Sequence, residues 1–276
     1  MYTPTTPIHQ AATYLKQRTN DFKPQIGIIL GSGLASLINE IKDAQTVPYE
    51  HIPNFFDCSV AGHSGVLHFG YLEGVPVMCM QGRGHYYEGL SSEDIATPIR
   101  TMKLLGVETL LITNAAGSLR ESLQPGSLML ISDHLNMQGR NPLVGNNDEN
   151  IGPRFLGMEG AYNPKLRQQM LDTAETLDLP LTEGTYVGVL GPVFETPAEI
   201  KAFQILGGDA VGMSTVPEVI AAHHCGLKTV AVSMITNMGA GMTNETLTHE
   251  GTLEGAKLGV NKLQKLIHAF LAKQNS

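Results

Sequence analysis

Residues 25–34 read Gln-Ile-Gly-Ile-Ile-Leu-Gly-Ser-Gly-Leu: a short apolar run that ends in Gly31-Ser32-Gly33. Leu34, Leu37, Ile38 and Ile41 then recur at helical spacing, so the stretch predicts strand, tight turn, helix. The alternation returns downstream. Residues 75–80, 109–113, 127–131, 186–190 and 229–235 are strand-like, and residues 96–105, 164–177 and 198–206 carry helical patterns. Strands alternating with helices predict an α/β fold. Thr196-Pro197-Ala198-Glu199 offers a capping hydroxyl, a proline at the first helical position and a carboxylate at the third, which starts a helix just after Phe194-Glu195. Glu195 then falls at a strand-to-helix junction, the kind of place where open α/β sheets bind ligands.

Working outward, residues 138–160 form a long stretch rich in Gly, Asn and Pro with little periodicity, and no linker or repeat divides the chain. One domain over residues 1–276 with one large functional loop is expected. Residues 248–272 carry Leu253, Ala256, Leu258, Val260, Leu263, Leu266 and Ile267 at mixed three- and four-residue spacing, an amphipathic helix with His268 as a surface side chain.

Composition narrows the class. The chain has 276 residues, 42% of them hydrophobic, enough to bury a full core. A formal charge of −8, with only 18 Lys and Arg, provides no basic stripe for nucleic acid. Cys58, Cys79 and Cys225 are far apart and read as buried thiols of a reducing compartment. The first 16 residues lack the charged and apolar regions of a signal peptide, and no stretch reaches the roughly 18 consecutive apolar residues of a membrane span. A cytoplasmic protein without a membrane partner is expected.

Several segments have the chemistry of a binding site. Gly31-Ser32-Gly33 serves equally as a phosphate cradle or as a plain turn, and Ser36 where a dinucleotide fingerprint needs glycine disfavours an NAD-type cofactor. Arg83 and His85, two apart after the strand at 75–80, should emerge on one side, and an arginine presents a planar fork to phosphate oxygens. His85-x-x-Glu88 lacks a second histidine at helical spacing, and adjacent His223-His224 cannot face one site, so no metal is implied. His63 sits in a glycine-flanked turn, and Thr113-Asn114-Ala115-Ala116-Gly117 closes a strand with small residues that let backbone approach a ligand. Phe194, Glu195, Thr236 and Asn237 combine an aromatic face, a carboxylate, a hydroxyl and a carboxamide, a set able to hold the edge of a heterocycle. From the residues alone, the reading stops at phosphate plus a planar base.

Taken in order, GSGL at 31–34, GHSG at 62–65, QGRGHYYEG at 81–89, TNAAGSL at 113–119, GPVFET at 191–196, VGMSTVPEV at 211–219 and ITNM at 235–238 closely resemble the trimeric purine nucleoside phosphorylase family over residues 25–249. The resemblance implies a mixed sheet with a partly closed barrel, a homotrimer, and phosphorolysis of 6-oxopurine nucleosides to free base and ribose 1-phosphate. It places Ser32, His63, Arg83, His85, Ala115 and Ser214 on phosphate, and Tyr87, Met213 and His249 on ribose. Phe194, Glu195, Val211, Thr236 and Asn237 would hold the base, and Phe155 would reach a neighbouring subunit's site. His85, Glu195 and Asn237 are the expected catalytic groups. Inorganic phosphate is a co-substrate, and neither a metal nor an organic cofactor is implied. Related 5′-methylthioadenosine enzymes usually have Ser at the position of Glu195 and Asp at that of Asn237, and this chain departs from them at both. Met238 stands where mammalian members have Lys, which resembles the bacterial branch, some of whose members also accept xanthosine.

Overall fold

A computed structural model describes residues 6–31, 33–60, 64–244 and 246–275. Its centre is a mixed sheet whose strands run, in chain order, β1 (Ile26–Leu30), β2 (Lys42–Pro48), β3 (Val66–Leu72), β4 (Val75–Gln81), β5 (Thr109–Ser118), β6 (Leu128–Asn136), β7 (Leu181–Gly188), β8 (Ala210–Gly212) and β9 (Lys228–Met238). Their spatial order is β2-β3-β4-β1-β5-β8-β7-β6-β9, and β9 pairs back onto β5. The last five strands therefore close into a barrel, from which β1, β4, β3 and β2 extend as an open wing. β1 is parallel to β4 and β5, and β5 is parallel to β9, so four carboxyl ends point the same way. All five residues of β1 are buried, as an apolar run without alternation requires of a strand covered on both faces.

Helices α1 (Pro7–Arg18), α2 (Ser92–Leu105) and α5 (Val216–His224) pack in series on one side. Helices α3 (Pro164–Thr176) and α6 (His249–Ala272) pack together against β9 on the other, and α4 (Pro197–Ile205) covers a small cluster of Leu119, Val187, Ile200, Phe203 and Val211. α6 lies unusually close to β9. A Cβ on Gly255 would collide with the Thr236 carbonyl, and one on Gly259 would stand 3.0 Å from Met234 Sδ. Two glycines one turn apart thus set the depth at which the helix seats.

Three expectations need correction. The apolar residues after Gly33 form a six-residue 3₁₀ turn, Ala35–Glu40, not an α-helix, because the chain must leave again at once as β2. The strand expected at 186–190 is Leu181–Gly188; polar positions on its exposed half hid its start. Cys58 is half-buried, whereas Cys79 and Cys225 are buried. His268 lies at the surface but is engaged, 2.7 Å from Glu73 and 3.1 Å from Glu40. The long segment at 138–160 contains no helix or strand, as expected.

Candidate active site

The carboxyl ends of β1, β4, β5 and β9 meet the turn after β8 and the start of α6 around one cavity of about 340 Å³. That is within the ordinary range for a small-molecule site. Twelve of the expected residues line it: Arg83, His85, Tyr87, Ala115, Phe194, Glu195, Val211, Met213, Ser214, Thr236, Asn237 and His249. Ser32 and His63 lie outside the described residues. Phe155 is 91% exposed, on the segment between β6 and α3, and does not line the cavity of its own chain. Thr252, one turn into α6, lines the cavity and was not expected; the signal that would have found it is its three-residue spacing from His249 on one helix face.

At one end is a buried polar network. The Arg83 guanidinium donates from Nε to Glu218 Oε1 at 2.8 Å and from one terminal nitrogen to the Thr113 carbonyl at 2.7 Å, with Ser214 Oγ at 3.3 Å. Glu218, in the first turn of α5, accepts the Thr215 N–H on its other oxygen at 3.1 Å. Thr215 has φ of +70°, a backbone conformation costly for a β-branched residue. The turn is held further by Asn114 Nδ2, which donates to Thr215 Oγ1 at 2.9 Å. Beside it, His85 Nδ1 is 2.9 Å from Glu88 Oε2, which also accepts the His85 backbone N–H, while Ser59 donates from both its backbone and its hydroxyl to Oε1. Burial pushes the Glu88 carboxyl up, but His85 and the two Ser59 donors outweigh it and hold it at about 2. An ionised Glu88 places the proton on His85 Nδ1 and leaves Nε2 as the ring's other polar atom. The Tyr87 ring stacks on His85 at 4.6 Å, and burial, with the Glu88 charge, raises its phenol to about 12, so it acts as a neutral hydroxyl.

The Gly31 N–H is already bonded to Thr113 Oγ1 at 2.9 Å, and a six-residue 3₁₀ turn follows, so the helix-terminus argument for a phosphate cradle does not carry here. Gly31 is required for another reason: a Cβ there would stand 2.7 Å from Asn114 Cα.

At the other end, β9 is out of register with β5. Ala116 faces Ile235 but Gly117 faces Asn237, so Thr236 is an extra residue on β9. Such a bulge re-aims side chains, and it lets the consecutive Thr236 and Asn237 both face the cavity, which regular alternation forbids. The Thr236 hydroxyl donates to Asn237 Oδ1 at 2.8 Å, and Asn237 Nδ2 donates to the Met238 carbonyl at 3.0 Å. This orients the amide and leaves its second N–H for the cavity. Burial raises the Glu195 carboxyl, and the Glu199 charge adds to that, against a lowering bond from its own backbone N–H. Phe194 stands beside it, 37% exposed. The two groups lie at different levels of β5: Arg83 binds at Thr113, and the Asn237 amide lies against Gly117, four residues or about 13 Å of strand backbone further on.

Among the described residues no group of three or more His, Cys, Asp or Glu is placed to hold a metal ion, and no helix is long and apolar enough to cross a membrane.

Comparison with known proteins agrees with this geometry. Residues 25–272 match the family model described as the phosphorylase superfamily. Purine nucleoside phosphorylase 1 of Geobacillus stearothermophilus is 52% identical over 90% of this chain and 90% of its own length. Isoform 2 of the Schistosoma mansoni enzyme, solved with cytosine and ribose-1-phosphate, superposes with a TM-score of 0.92 at 43% identity, covering 98% of this chain and 99% of that one. Structures of Schistosoma mansoni purine nucleoside phosphorylase with inosine and with adenosine each give 0.91 at 41% identity, covering 97% and 96% of this chain and 96% of each of theirs. With its closed mixed barrel, its cavity at the strand ends and these relatives, the chain belongs to the phosphorylase superfamily and, within it, to the purine nucleoside phosphorylases.

Proposed function

We propose that this enzyme cleaves inosine, guanosine and their deoxy forms with inorganic phosphate, giving free base and (deoxy)ribose 1-phosphate in purine salvage in the cytoplasm. The observation that carries the reading is one cavity lined by a buried arginine, histidine and serine together with an aromatic, a carboxylate and a carboxamide. Phosphate bound by Arg83, His85, Ser214 and the Ala115 N–H attacks C1′ as the C1′–N9 bond breaks. The bonding electrons leave with the purine. Asn237 Nδ2 donates its remaining N–H toward N7 as negative charge builds there, so the bond strengthens in the transition state. Glu195 accepts N1–H of a 6-oxopurine, and the 2-amino group of guanine. Tyr87, Met213 and His249 hold the ribose, with His249 near the 5′-hydroxyl.

Adenosine presents a lone pair at N1, against which the Glu195 carboxylate repels. A Schistosoma relative nonetheless binds adenosine, so the discrimination proposed is in turnover. Xanthosine would bring a 2-oxo group to the same carboxylate and is disfavoured for the same reason; Val189 and Leu190 do not line the cavity and offer no polar alternative. Neither a metal nor an organic cofactor takes part, which full turnover after exhaustive chelation would support. The active form is a homotrimer in which Phe155, exposed on its own chain, covers a neighbour's base site. Sedimentation giving a fully active monomer would remove that role.

The test is base release from inosine, guanosine, xanthosine and adenosine, each with and without phosphate, with ribose 1-phosphate measured as second product. Phosphate-dependent cleavage of inosine and guanosine alone is the expected pattern. Cleavage of adenosine at the same rate would overturn the assignment of Glu195.

A further inference from the structure

Glu218 does not line the cavity, yet it is buried with its carboxylate against the one arginine that does. An anion placed beside an anion site weakens it by simple Coulomb repulsion, so its presence calls for a compensating job. We propose that Glu218 is a positioning residue of the phosphate site: its two carboxylate oxygens fix the Arg83 guanidinium and the strained Ser214–Thr215 turn in the one arrangement that presents both to phosphate. The proposal rests on the phosphorolysis reading above.

The geometry supports each half. Oε1 takes the Arg83 Nε–H, and the Thr113 carbonyl takes a terminal N–H, so the guanidinium plane is held from two sides. Oε2 takes the N–H of Thr215, whose φ of +70° needs its surroundings to hold it, and Ser214 immediately before it lines the cavity. A second box of the same sequence type provides an internal control. Thr196 and Glu199 cap α4 as Thr215 and Glu218 cap α5, but Glu199 is exposed and its carboxylate bonds only within its own box, to the Thr196 N–H and hydroxyl. Capping alone therefore needs neither the burial nor the arginine.

A glutamine at 218 has one acceptor and one donor where the site needs two acceptors, so it can serve Arg83 or Thr215 but not both. The experiment measures phosphate binding to Glu218→Gln, Glu199→Gln and wild-type protein by calorimetry with inorganic phosphate, and KM for phosphate and for inosine by steady-state assay. Glu218→Gln should bind phosphate at least tenfold more weakly with KM for inosine unchanged, and Glu199→Gln should leave phosphate binding alone. Phosphate binding that is unchanged or tighter in Glu218→Gln would overturn the proposal, since it would leave only the removal of a repelling charge. If Glu218→Gln folds poorly, Thr215→Gly with Glu218→Gln relieves the backbone strain. Weak phosphate binding should persist in that double variant, and full recovery would show that Glu218 acts through the cap and not through Arg83. A wild-type protein that binds phosphate but cleaves no nucleoside would sink the phosphorolysis reading while the calorimetry still decides on Glu218.

Discussion

The two ends of the cavity are built differently. At the proposed phosphate end, Arg83, His85, Ser214 and Thr215 are buried and tied to Glu218, Glu88, Thr113 and Asn114 by bonds that join β5 and α5 to the segments following β4 and β8. At the base end, Phe194 and Val193 are exposed, and Glu195 sits on an eight-residue connection between β7 and α4. The arrangement is rigid where every reaction uses the same small anion and open where the reactant varies. On the proposed assignment, affinity for phosphate is set by preorganisation, and choice of base by a few contacts on an exposed connection.

Mutations at the two ends should sharpen that contrast. Arg83→Ala strips the rigid end of its cation and leaves Glu218 buried without it. We expect kcat/KM for phosphate to fall by about 10³-fold or more and the fold to lose about 3–5 kcal/mol, with calorimetric binding of hypoxanthine retained; equal loss of hypoxanthine binding would erase the distinction between ends. Asn237→Ala should lower kcat by about 10²–10³-fold with little change in KM for phosphate, read from single-turnover rates. Glu195→Gln should lower kcat/KM for inosine by about 10–100-fold, the worth of one charge-assisted hydrogen bond, and should leave adenosine no worse. A parallel loss for both nucleosides would mean that Glu195 supports the loop and not the base.

A smaller effect concerns pH. The folded protein holds Glu88 ionised down to about 2, against 4.5 for an ordinary glutamate. Its contribution is therefore complete above pH 4.5 and is lost as pH falls from there toward 2. Urea unfolding should show wild type more stable than Glu88→Gln at pH 6, with the gap narrowing at pH 3; a constant gap would mean that the carboxylate is not ionised in its pocket. The smallest change is expected for Phe155→Ala, a few-fold rise in KM for inosine with KM for phosphate unmoved, because the proposed aromatic lid from a neighbouring subunit, worth about 1 kcal/mol, would touch only the open end.

Much of this was legible in the chain. Apolar runs gave β1, β4 and β9, and Thr196-Pro197-Ala198-Glu199 located the start of α4 to the residue. The same signal stands at Thr215-Val216-Pro217-Glu218, where it marks α5 and points to Glu218. β2 escaped because it is an edge strand with most side chains in solvent, which leaves no hydrophobic alternation to read. β3 was readable in principle, since Glu73-Gly74, both at positive φ, makes the tight turn that joins it to β4. The bulge at Thr236 had no local signature at all. Register is a property of two strands 120 residues apart, and only their pairing reveals that one has a residue to spare.

The seating of α6 on β9 through Gly255 and Gly259 also has a consequence for the order of events in biosynthesis. His249 and Thr252 reach the cavity only when that helix has docked, and α6 leaves the ribosome after every strand it covers. Until it does, Leu263, Leu266, Ile267, Phe270 and Leu271 are missing from their core and the back of β9 is bare apolar surface. The nascent chain thus has its anion network in sequence before His249 and Thr252 can complete the wall of the cavity. Docking of α6 adds the last wall to a cavity whose other sides are the ends of the strands.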